Sequence, residues 1–186
     1  MQVFRHYRTH FALAISVLTI GCSKTPVDEL AESLSDSDHE VRYDAAKELE
    51  SFGPEAIGAV DELADALSDP DPKVRYRCAK VLSELGIGAN SVAKQVHIAL
   101  KDASPETRYY LVKTLANIED AAVVALAELE QILKSDTDSR VRYYAAKALG
   151  KIGKEAAPVA KSLEAALKDG DPEVRRAASE SLNKVS

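Results

Sequence analysis

Apolar and polar residues alternate along this chain with the period of an α-helix, and the whole pattern recurs about every 33 residues. Each recurrence contains an arginine in a similar setting: DHEVRYDAAKELESFG, DPKVRYRCAKVLSELG, SPETRYYLVKTLANIE, DSRVRYYAAKALGKIG and DPEVRRAASESLNKVS. The arginines are Arg42, Arg75, Arg108, Arg142 and Arg175, at spacings of 33, 33, 34 and 33 residues. A fixed period of about 20 to 50 residues indicates a solenoid, in which neighbouring units cover each other's apolar faces.

Each unit is predicted to fold as two helices joined by a turn. The first helix carries two apolar residues four positions apart: Leu30/Leu34, Leu63/Leu67, Val96/Leu100, Leu129/Leu133 and Leu163/Leu167. The second is predicted to begin at a capping residue: Asp38, Asp71, Ser104, Asp138 or Asp171. Its core stripe in the second unit is predicted to be Val74, Cys78, Ala79, Leu82 and Leu85. Three of the second helices are predicted to end at a glycine: Gly53, Gly86 and Gly153.

Two units depart from this pattern. The third has Leu111 and Val112 where the other units have small residues, so we expect its helices to be pushed apart. It also has Glu119 in place of the terminating glycine. The last helix is rich in polar residues, which we expect on an outer face that caps the array: Ser179, Glu180, Ser181, Asn183 and Lys184.

The repeated motif resembles the short HEAT repeat, whose pattern is DPDPxVRxxAAxxLgxiG, and the likeness covers residues 27–186. This type of repeat is also found in the phycobilisome (PBS) lyases. The resemblance implies an all-α fold, a right-handed α-solenoid of about five two-helix repeats. It also implies that the second helices line the concave face.

An aspartate stands six residues before each arginine, in the turn between the two helices: Asp36, Asp69, Asp102, Asp136 and Asp169. We expect each arginine to meet a carboxylate or loop carbonyls across a unit boundary, because its planar fork suits both. In HEAT proteins the matching pair forms a structural ladder through the stack. An anion-binding role for these arginines is the alternative interpretation.

Tyrosines follow these arginines at one repeated place: Tyr43, Tyr76, Tyr109, Tyr110, Tyr143 and Tyr144. At about 100° per residue, the position after the arginine lies opposite the core stripe, so these rings are predicted to face outward. Lysines four residues later share the same ridge: Lys47, Lys80, Lys113 and Lys147. The rings either pack only on the lysine stems or bind a partner. If they bind a partner, Tyr110 and Tyr144 mark the centre of the contact surface.

The N-terminus has the residue pattern of a targeting segment. Arg5 and Arg8 precede the apolar run FALAISVLTI, which is shorter than the roughly 20 residues of a membrane span. The following LTIGCS resembles the lipobox of bacterial lipoproteins. The resemblance implies a signal peptide over 1–21, lipid on Cys22 and a short tether over 22–26 ahead of the repeat domain. An ordinary cleaved signal is the alternative. Ser23 favours the outer membrane, facing the periplasm or the cell surface.

The charge and the cysteine content limit which classes of partner and which covalent bonds are expected. The chain has 24 basic and 30 acidic residues, and cleavage after Gly21 would remove two arginines, changing the net charge from −6 to −8. An acidic domain is a poor candidate for binding nucleic acid. Lipid on Cys22 would leave Cys78 without a partner, so we expect no internal disulfide. Its slot carries alanine in other units, which predicts a small buried residue.

Enzymatic alternatives have little support in the sequence. His39–Glu40 is similar to the His-Glu pairs of deoxyhypusine hydroxylase, a di-iron HEAT enzyme, but the other units lack them. Bilin lyases use such repeats too, although none of the residues here matches their active sites. We therefore expect no metal, no cofactor and no catalytic residue.

The sequence as a whole favours a non-enzymatic scaffold anchored by lipid in the cell envelope. The expected partner is a protein or peptide, bound through a ridge of these tyrosines together with Lys80, Lys113 and Lys147, while a glycan is also compatible with an aromatic row. A degenerate relative of the HEAT enzymes and a purely structural spacer are the alternatives.

Overall fold

Five pairs of α-helices follow one another in the residues that the computed structural model describes, which are 24–102 and 104–185. The first helices are α1 (Pro26–Ser33), α3 (Val60–Asp65), α5 (Ala93–Ala99), α7 (Leu126–Ser135) and α9 (Ala160–Ala166). The second helices are α2 (His39–Ser51), α4 (Pro72–Leu85), α6 (Pro105–Asn117), α8 (Ser139–Ile152) and α10 (Pro172–Val185). Over these ranges no strand occurs, which confirms the all-α prediction.

The turns between repeats are themselves helical. A 3₁₀ segment precedes every first helix after α1: Gly53–Ala59, Gly86–Val92, Glu119–Ala125 and Gly153–Val159. A shorter one, Ala66–Ser68, ends α3. The sequence predicted only a turn at these places, because a 3₁₀ segment of this length has no distinctive apolar period.

Side-chain caps set the beginnings of the second helices, as predicted. The Asp38 carboxylate accepts a hydrogen bond from the amide of Glu40 at 3.0 Å, and Asp71 accepts one from Lys73 at 2.7 Å. The equivalent acceptors in the later units are Ser104, Asp138 and Asp171. These bonds satisfy amide groups that have no partner inside the helix.

Left-handed backbone marks the ends of four second helices. Gly53, Gly86 and Gly153 have φ angles of 55°, 57° and 71°, which glycine adopts at little cost. Glu119 has a φ of 50° at the same place in the third unit, and among the described residues it is the one positive-φ residue that is not glycine. The repeat geometry thus imposes the same turn even where the sequence lacks the residue that favours it.

The core runs through the whole stack. Each second helix packs against the next, more closely than successive first helices pack, so the second helices lie on the inner side of the curve. The predicted apolar positions of the first helices are buried, except that Leu30 is half-buried and Leu167 is 41% exposed. Leu167 and Val41, which is 40% exposed, lie in the fifth and first units, each of which packs on one other unit among the described residues.

The larger residues of the third unit lie inside the stack. Leu111 and Val112 are fully buried, and α6 packs against α4 and α8 as closely as the other second helices pack. The expected separation of α5 from α6, the two helices of this unit, stays a prediction.

The polar end of α10 also needs a correction. Ser179, Glu180, Asn183 and Lys184 are exposed, but Ser181 is buried against α8. Its hydroxyl donates a hydrogen bond to the carbonyl of Ala146 at 2.7 Å. Gly150 lies directly beside it, because a Cβ at that position would come within 2.9 Å of the Ser181 Cα. Serine serves here as a small packing residue.

Candidate functional site

The arginines and aspartates of the repeats form a ladder across unit boundaries. Each guanidinium reaches the aspartate of the following unit: the Arg42 Nε lies 2.6 Å from an Asp69 carboxylate oxygen, and the Arg142 Nε lies 2.8 Å from Asp169. The equivalent pairs between them are Arg75 with Asp102 and Arg108 with Asp136. Each guanidinium also donates to a carbonyl of its own unit, as Arg142 does to the Asp136 carbonyl at 2.8 Å. One side chain therefore fastens two turns.

The two ends of the ladder lack this second partner. Arg175 donates to the carbonyls of Asp169 and Gly170 at 2.7 and 3.0 Å, and no carboxylate of the described residues pairs with it. Asp36 accepts from the amide of Asp38 at 2.7 Å and has no preceding arginine in the described residues. The four inner pairs are the part of the ladder that links units.

Electrostatics support a structural role for the inner pairs. Hydrogen bonds from Arg142 hold the pKa of Asp169 below its ordinary value, against the opposing effect of burial. Both side chains are largely shielded from water. An arginine already bound to a carboxylate and a carbonyl has little capacity left for an external anion, which disfavours the anion-binding alternative.

Tyrosines on the second helices form a continuous row of rings, which we call the aromatic row: Tyr76, Tyr110, Tyr109, Tyr144 and Tyr143. Successive ring centroids are 5.6, 4.9, 5.3 and 5.0 Å apart, all in edge-to-face contact. Such geometry places the positive edge of one ring against the negative face of the next. The row crosses three helices, α4, α6 and α8.

A simple rule generates the row. In the first four units, a tyrosine directly follows the ladder arginine. This tyrosine packs on the next unit, at the second residue after that unit's ladder arginine. That second residue is Arg77, Tyr110, Tyr144 or Ala177 in successive units. Arg77 accordingly lies over the Tyr43 ring at 5.4 Å and donates to its hydroxyl at 3.1 Å. The row stops at Tyr143 because the fifth unit offers only Ala177.

The rings are half-buried rather than freely projecting, which corrects the outward orientation expected from helix phase. Tyr109, Tyr110, Tyr143 and Tyr144 pack against the edge of the core as well as on each other. Burial and a hydrogen bond with Tyr109 raise the pKa of Tyr144 to about 12, and burial with a bond to Tyr76 raises the pKa of Tyr110. The phenols of Tyr144 and Tyr110 are therefore neutral at physiological pH, and part of each ring in the row is still open to solvent.

Cations flank the aromatic row, but only in part as predicted. The Lys147 ammonium lies over Tyr143 and Tyr144 at 5.3 and 5.4 Å from the ring centroids, and Lys113 lies over Tyr110 at 5.8 Å. Lys80 instead reaches the Glu50 carboxylate at 2.5 Å. The expected pairing at four residues thus holds for Lys147 alone.

A cleft of about 350 Å³ opens at the fourth-unit end of the row. It is lined by residues from the start of α8 and α10 together with the last rings: Tyr109, Ser139, Arg140, Tyr143, Tyr144, Asp171 and Glu173. The Arg140 guanidinium lies over the Tyr109 ring at 5.4 Å. The missing aromatic side chain at Ala177 leaves the rings open here, so the cleft can take an apolar or aromatic side chain of a partner.

Two larger clefts, of about 530 and 450 Å³, lie beside the ladder between successive first helices. Their polar lining consists mostly of groups already paired with each other, such as Arg42 with Asp69. The rings of the aromatic row, by contrast, are partly exposed and can still contact a partner.

The remaining sequence candidates are scattered. His39 lies 3.2 Å from Asp71, and the buried Cys78 thiol has a pKa raised by desolvation. Across residues 24–102 and 104–185, no three His, Cys, Asp or Glu side chains are grouped so that they could hold a metal ion. Cys22 lies outside the described residues. Among the helices described, none has the length and apolar character needed to cross a bilayer.

Stacked helix pairs joined by a polar ladder define an α-solenoid. The sequence profile of HEAT repeats matches residues 27–96 and 92–183, so the chain belongs to the HEAT-repeat family. A comparison with curated protein sequences finds no match.

Solved structures share the fold. An engineered protein is 26% identical with a TM-score of 0.72, covering 86% of this chain and 78% of its own. A designed armadillo repeat protein in complex with the peptide (KR)4 is 20% identical, with a TM-score of 0.74 and coverage of 84% and 80%. The complex of CpcE and CpcF of phycocyanin lyase from Nostoc sp. PCC7120 is 19% identical, with a TM-score of 0.68 and coverage of 94% and 70%.

Proposed function

We propose that the protein is a non-enzymatic interaction module, held at the cell envelope by lipid on Cys22, which binds a protein or peptide segment along the aromatic row. One observation carries the proposal: five partly exposed rings form an unbroken row on the inner helices and end in an open cleft. Tyrosine offers large amphipathic contact area at low entropy cost, which is why binding surfaces use it.

The cleft supports binding of an extended segment. Binding energy in protein interfaces concentrates where a large side chain fills a pocket, surrounded by contacts that exclude water. The cleft would take such an anchor side chain, while the row would contact the rest of the segment. The designed armadillo protein was solved with a peptide, and solenoids of this class present the same kind of elongated inner surface.

The proposed anchor constrains the geometry. The side chain of Thr25 caps α1 in a capping box with Asp28, so the helix begins at Pro26, four residues after Cys22. Three or four extended residues span at most about 14 Å. The first repeat would then lie close to the bilayer, with the later repeats and the cleft farther along the stack. Ser23 after the cysteine favours the outer membrane.

Cross-linking in membranes tests the binding surface. Replacing Tyr109, Tyr110, Tyr143 and Tyr144 together with serine should abolish cross-links to the partner. A matched control replaces four exposed apolar residues elsewhere with serine: Ile57, Ile87, Ile98 and Val124. Thermal unfolding of both variants checks that each remains folded. Cross-links that survive in a folded tyrosine variant would contradict the proposal.

Lipid attachment has its own test. The Cys22→Ala variant should lose incorporation of a labelled fatty acid and leave the membrane fraction. Cross-linking of the released protein then reports on the aromatic row independently of the anchor. Retention of the variant in membranes would contradict the lipid anchor.

Two other functions make different predictions. A structural spacer that packs end to end would keep all its interactions in the tyrosine variant, while changes at the ladder ends, such as Arg175→Ala, would disrupt assembly. The unmatched ladder ends at Asp36 and Arg175 are the observation that favours it. An iron enzyme would contain stoichiometric metal after purification, and that result would overturn the non-enzymatic assignment.

A further inference from the structure

Two lysines beside the aromatic row have no carboxylate partner. The ammonium groups of Lys113 and Lys147 lie over tyrosine rings, and among the described residues no carboxylate forms an ion pair with either. Both side chains are partly exposed on the inner helices α6 and α8. A ring face attracts a cation but does not neutralise its charge.

Most other cations near the row are paired with carboxylates. Arg77 and Lys80 both bind the Glu50 carboxylate, at 2.8 and 2.5 Å. Arg140 binds the Asp138 carboxylate at 2.5 Å, beyond its contact with Tyr109. The acidic groups of the nearby cleft are also partnered, since Glu173 pairs with Arg176 and Asp171 caps α10. The unmatched charge at the centre of the row is therefore positive.

We propose that the aromatic row binds an extended acidic peptide segment, whose carboxylates pair with Lys113 and Lys147. This inference rests on the proposed function and adds the chemistry of the ligand. Aromatic rings supply sequence-tolerant contact area, and the two ammonium groups supply the selection for negative charge.

The spacing of the lysines defines a register. They occupy the same position in adjacent repeats, and the helices that carry them pack directly against each other. Neighbouring helices lie about 8–10 Å apart. A polyproline II segment rises about 3.1 Å per residue with three residues per turn, so carboxylates three positions apart lie on one side about 9 Å apart. Aromatic grooves favour this conformation because it is already extended.

The overall negative charge of the protein does not prevent this binding. The full chain carries a net charge of −6, yet charges farther than about 8 Å are largely screened at physiological salt. Local pairs therefore decide the affinity, while the acidic remainder of the surface lowers the association rate. Because the lysines are partly exposed, we expect each pair to contribute about two- to fivefold in affinity.

Fluorescence anisotropy of the purified full-length protein tests the proposal. The probes are labelled peptides with an Asp-Pro-Pro, Ser-Pro-Pro or Lys-Pro-Pro repeat of equal length. We expect the aspartate peptide to bind at least about tenfold more tightly than the lysine peptide at low salt, with the serine peptide between them. Its affinity should fall as salt rises.

Variants then assign the effect to the two lysines. Lys113→Gln and Lys147→Gln should each weaken the aspartate peptide about two- to fivefold, and the double variant should remove most of the preference for acid. Lys161→Gln is the matched control, because Lys161 is an exposed lysine on the first helix α9. Equal or tighter binding of the lysine peptide, or an unchanged double variant, overturns the proposal.

The outcome is separable from the proposed function. Partner cross-links that depend on the tyrosines but survive in the double lysine variant would leave the binding surface intact and reject the acidic ligand. Loss of cross-links in the double lysine variant, with unchanged thermal unfolding, would support both.

Discussion

Thr107 is a buried polar residue at a position where the other second helices carry valine. Its hydroxyl is shielded from water, with 1% of the residue exposed, and has no hydrogen-bond partner among the described residues. The equivalents are Val41, Val74, Val141 and Val174. Burying an unpaired hydroxyl is unfavourable, and a methyl group has nearly the same shape.

Thr107→Val should therefore stabilise the protein by about 1–2 kcal/mol. Denaturant-induced unfolding monitored by circular dichroism measures the change. The reverse substitution in the next unit, Val141→Thr, is the matched control and should destabilise by a similar amount, since Val141 is fully buried. A Thr107→Val protein no more stable than the parent would mean that the hydroxyl has a partner in solution.

Residue patterns in the sequence predicted the interior well. Of the predicted stripe of the second unit, Val74, Cys78, Ala79 and Leu82 are fully buried, because helix periodicity depends on local geometry that every repeat shares. The fifth member, Leu85, is half-buried at the end of α4. The misplaced residues depend on neighbours in space. Leu167 is exposed because no unit among the described residues packs over it, and Ser181 is buried because Gly150 lets α8 approach closely.

At the scale of elements, the ladder offers a matched pair of arginines. Arg142 binds the Asp169 carboxylate, whereas Arg175 occupies the same repeat position and binds only carbonyls. Arg142→Ala should destabilise by about 2–4 kcal/mol, because a shielded carboxylate loses its charge partner. Arg175→Ala should cost clearly less. Chemical denaturation measures both, and equal losses would contradict a ladder that links units through carboxylates.

The same pair predicts a pH dependence. The pKa of Asp169 is lowered in the folded state, chiefly by hydrogen bonds from Arg142. The stabilisation that ionised Asp169 gives to the folded state is complete above the pKa of an unfolded aspartate, about 3.9. It is lost as the pH falls through the lower pKa of the folded state. Arg142→Ala should therefore lose less stability than the parent between about pH 4 and pH 2. Parallel acid-unfolding curves would contradict this assignment.

The site was less predictable than the elements. Spacing alone indicated that ladder arginines would meet a carboxylate or carbonyls, and the structure shows both, with the carboxylate coming from the next unit. Helix phase placed the tyrosines on one face, but their half-buried state depends on how closely neighbouring helices pack. The sequence carried one signal for contact between units, which is the recurring Tyr-Tyr pair. In the third unit, one ring of the pair contacts the preceding helix and the other contacts the following helix.

At the scale of the whole molecule, the stack is quasi-one-dimensional. Each repeat contacts mainly its sequence neighbours, so stability is approximately a sum of unit and interface contributions. The aromatic row and the inner ladder both span several interfaces and make the central repeats interdependent. Among the described residues the fifth repeat packs on the fourth alone, chiefly through α8 and α10, where Gly150 faces Ser181. A local change there should remain local.

Gly150→Ala tests this independence of the repeats. An added Cβ would lie 2.7 Å from the Ser181 Cβ, so α10 must shift outward, at a cost of about 1–3 kcal/mol. Hydrogen exchange should then show faster exchange in α9 and α10, while α2 and α4 keep their protection. Gly170→Ala is the control, because a Cβ at Gly170 meets no atom within 4 Å. Uniformly faster exchange across all five repeats would show instead that the stack unfolds as one cooperative unit.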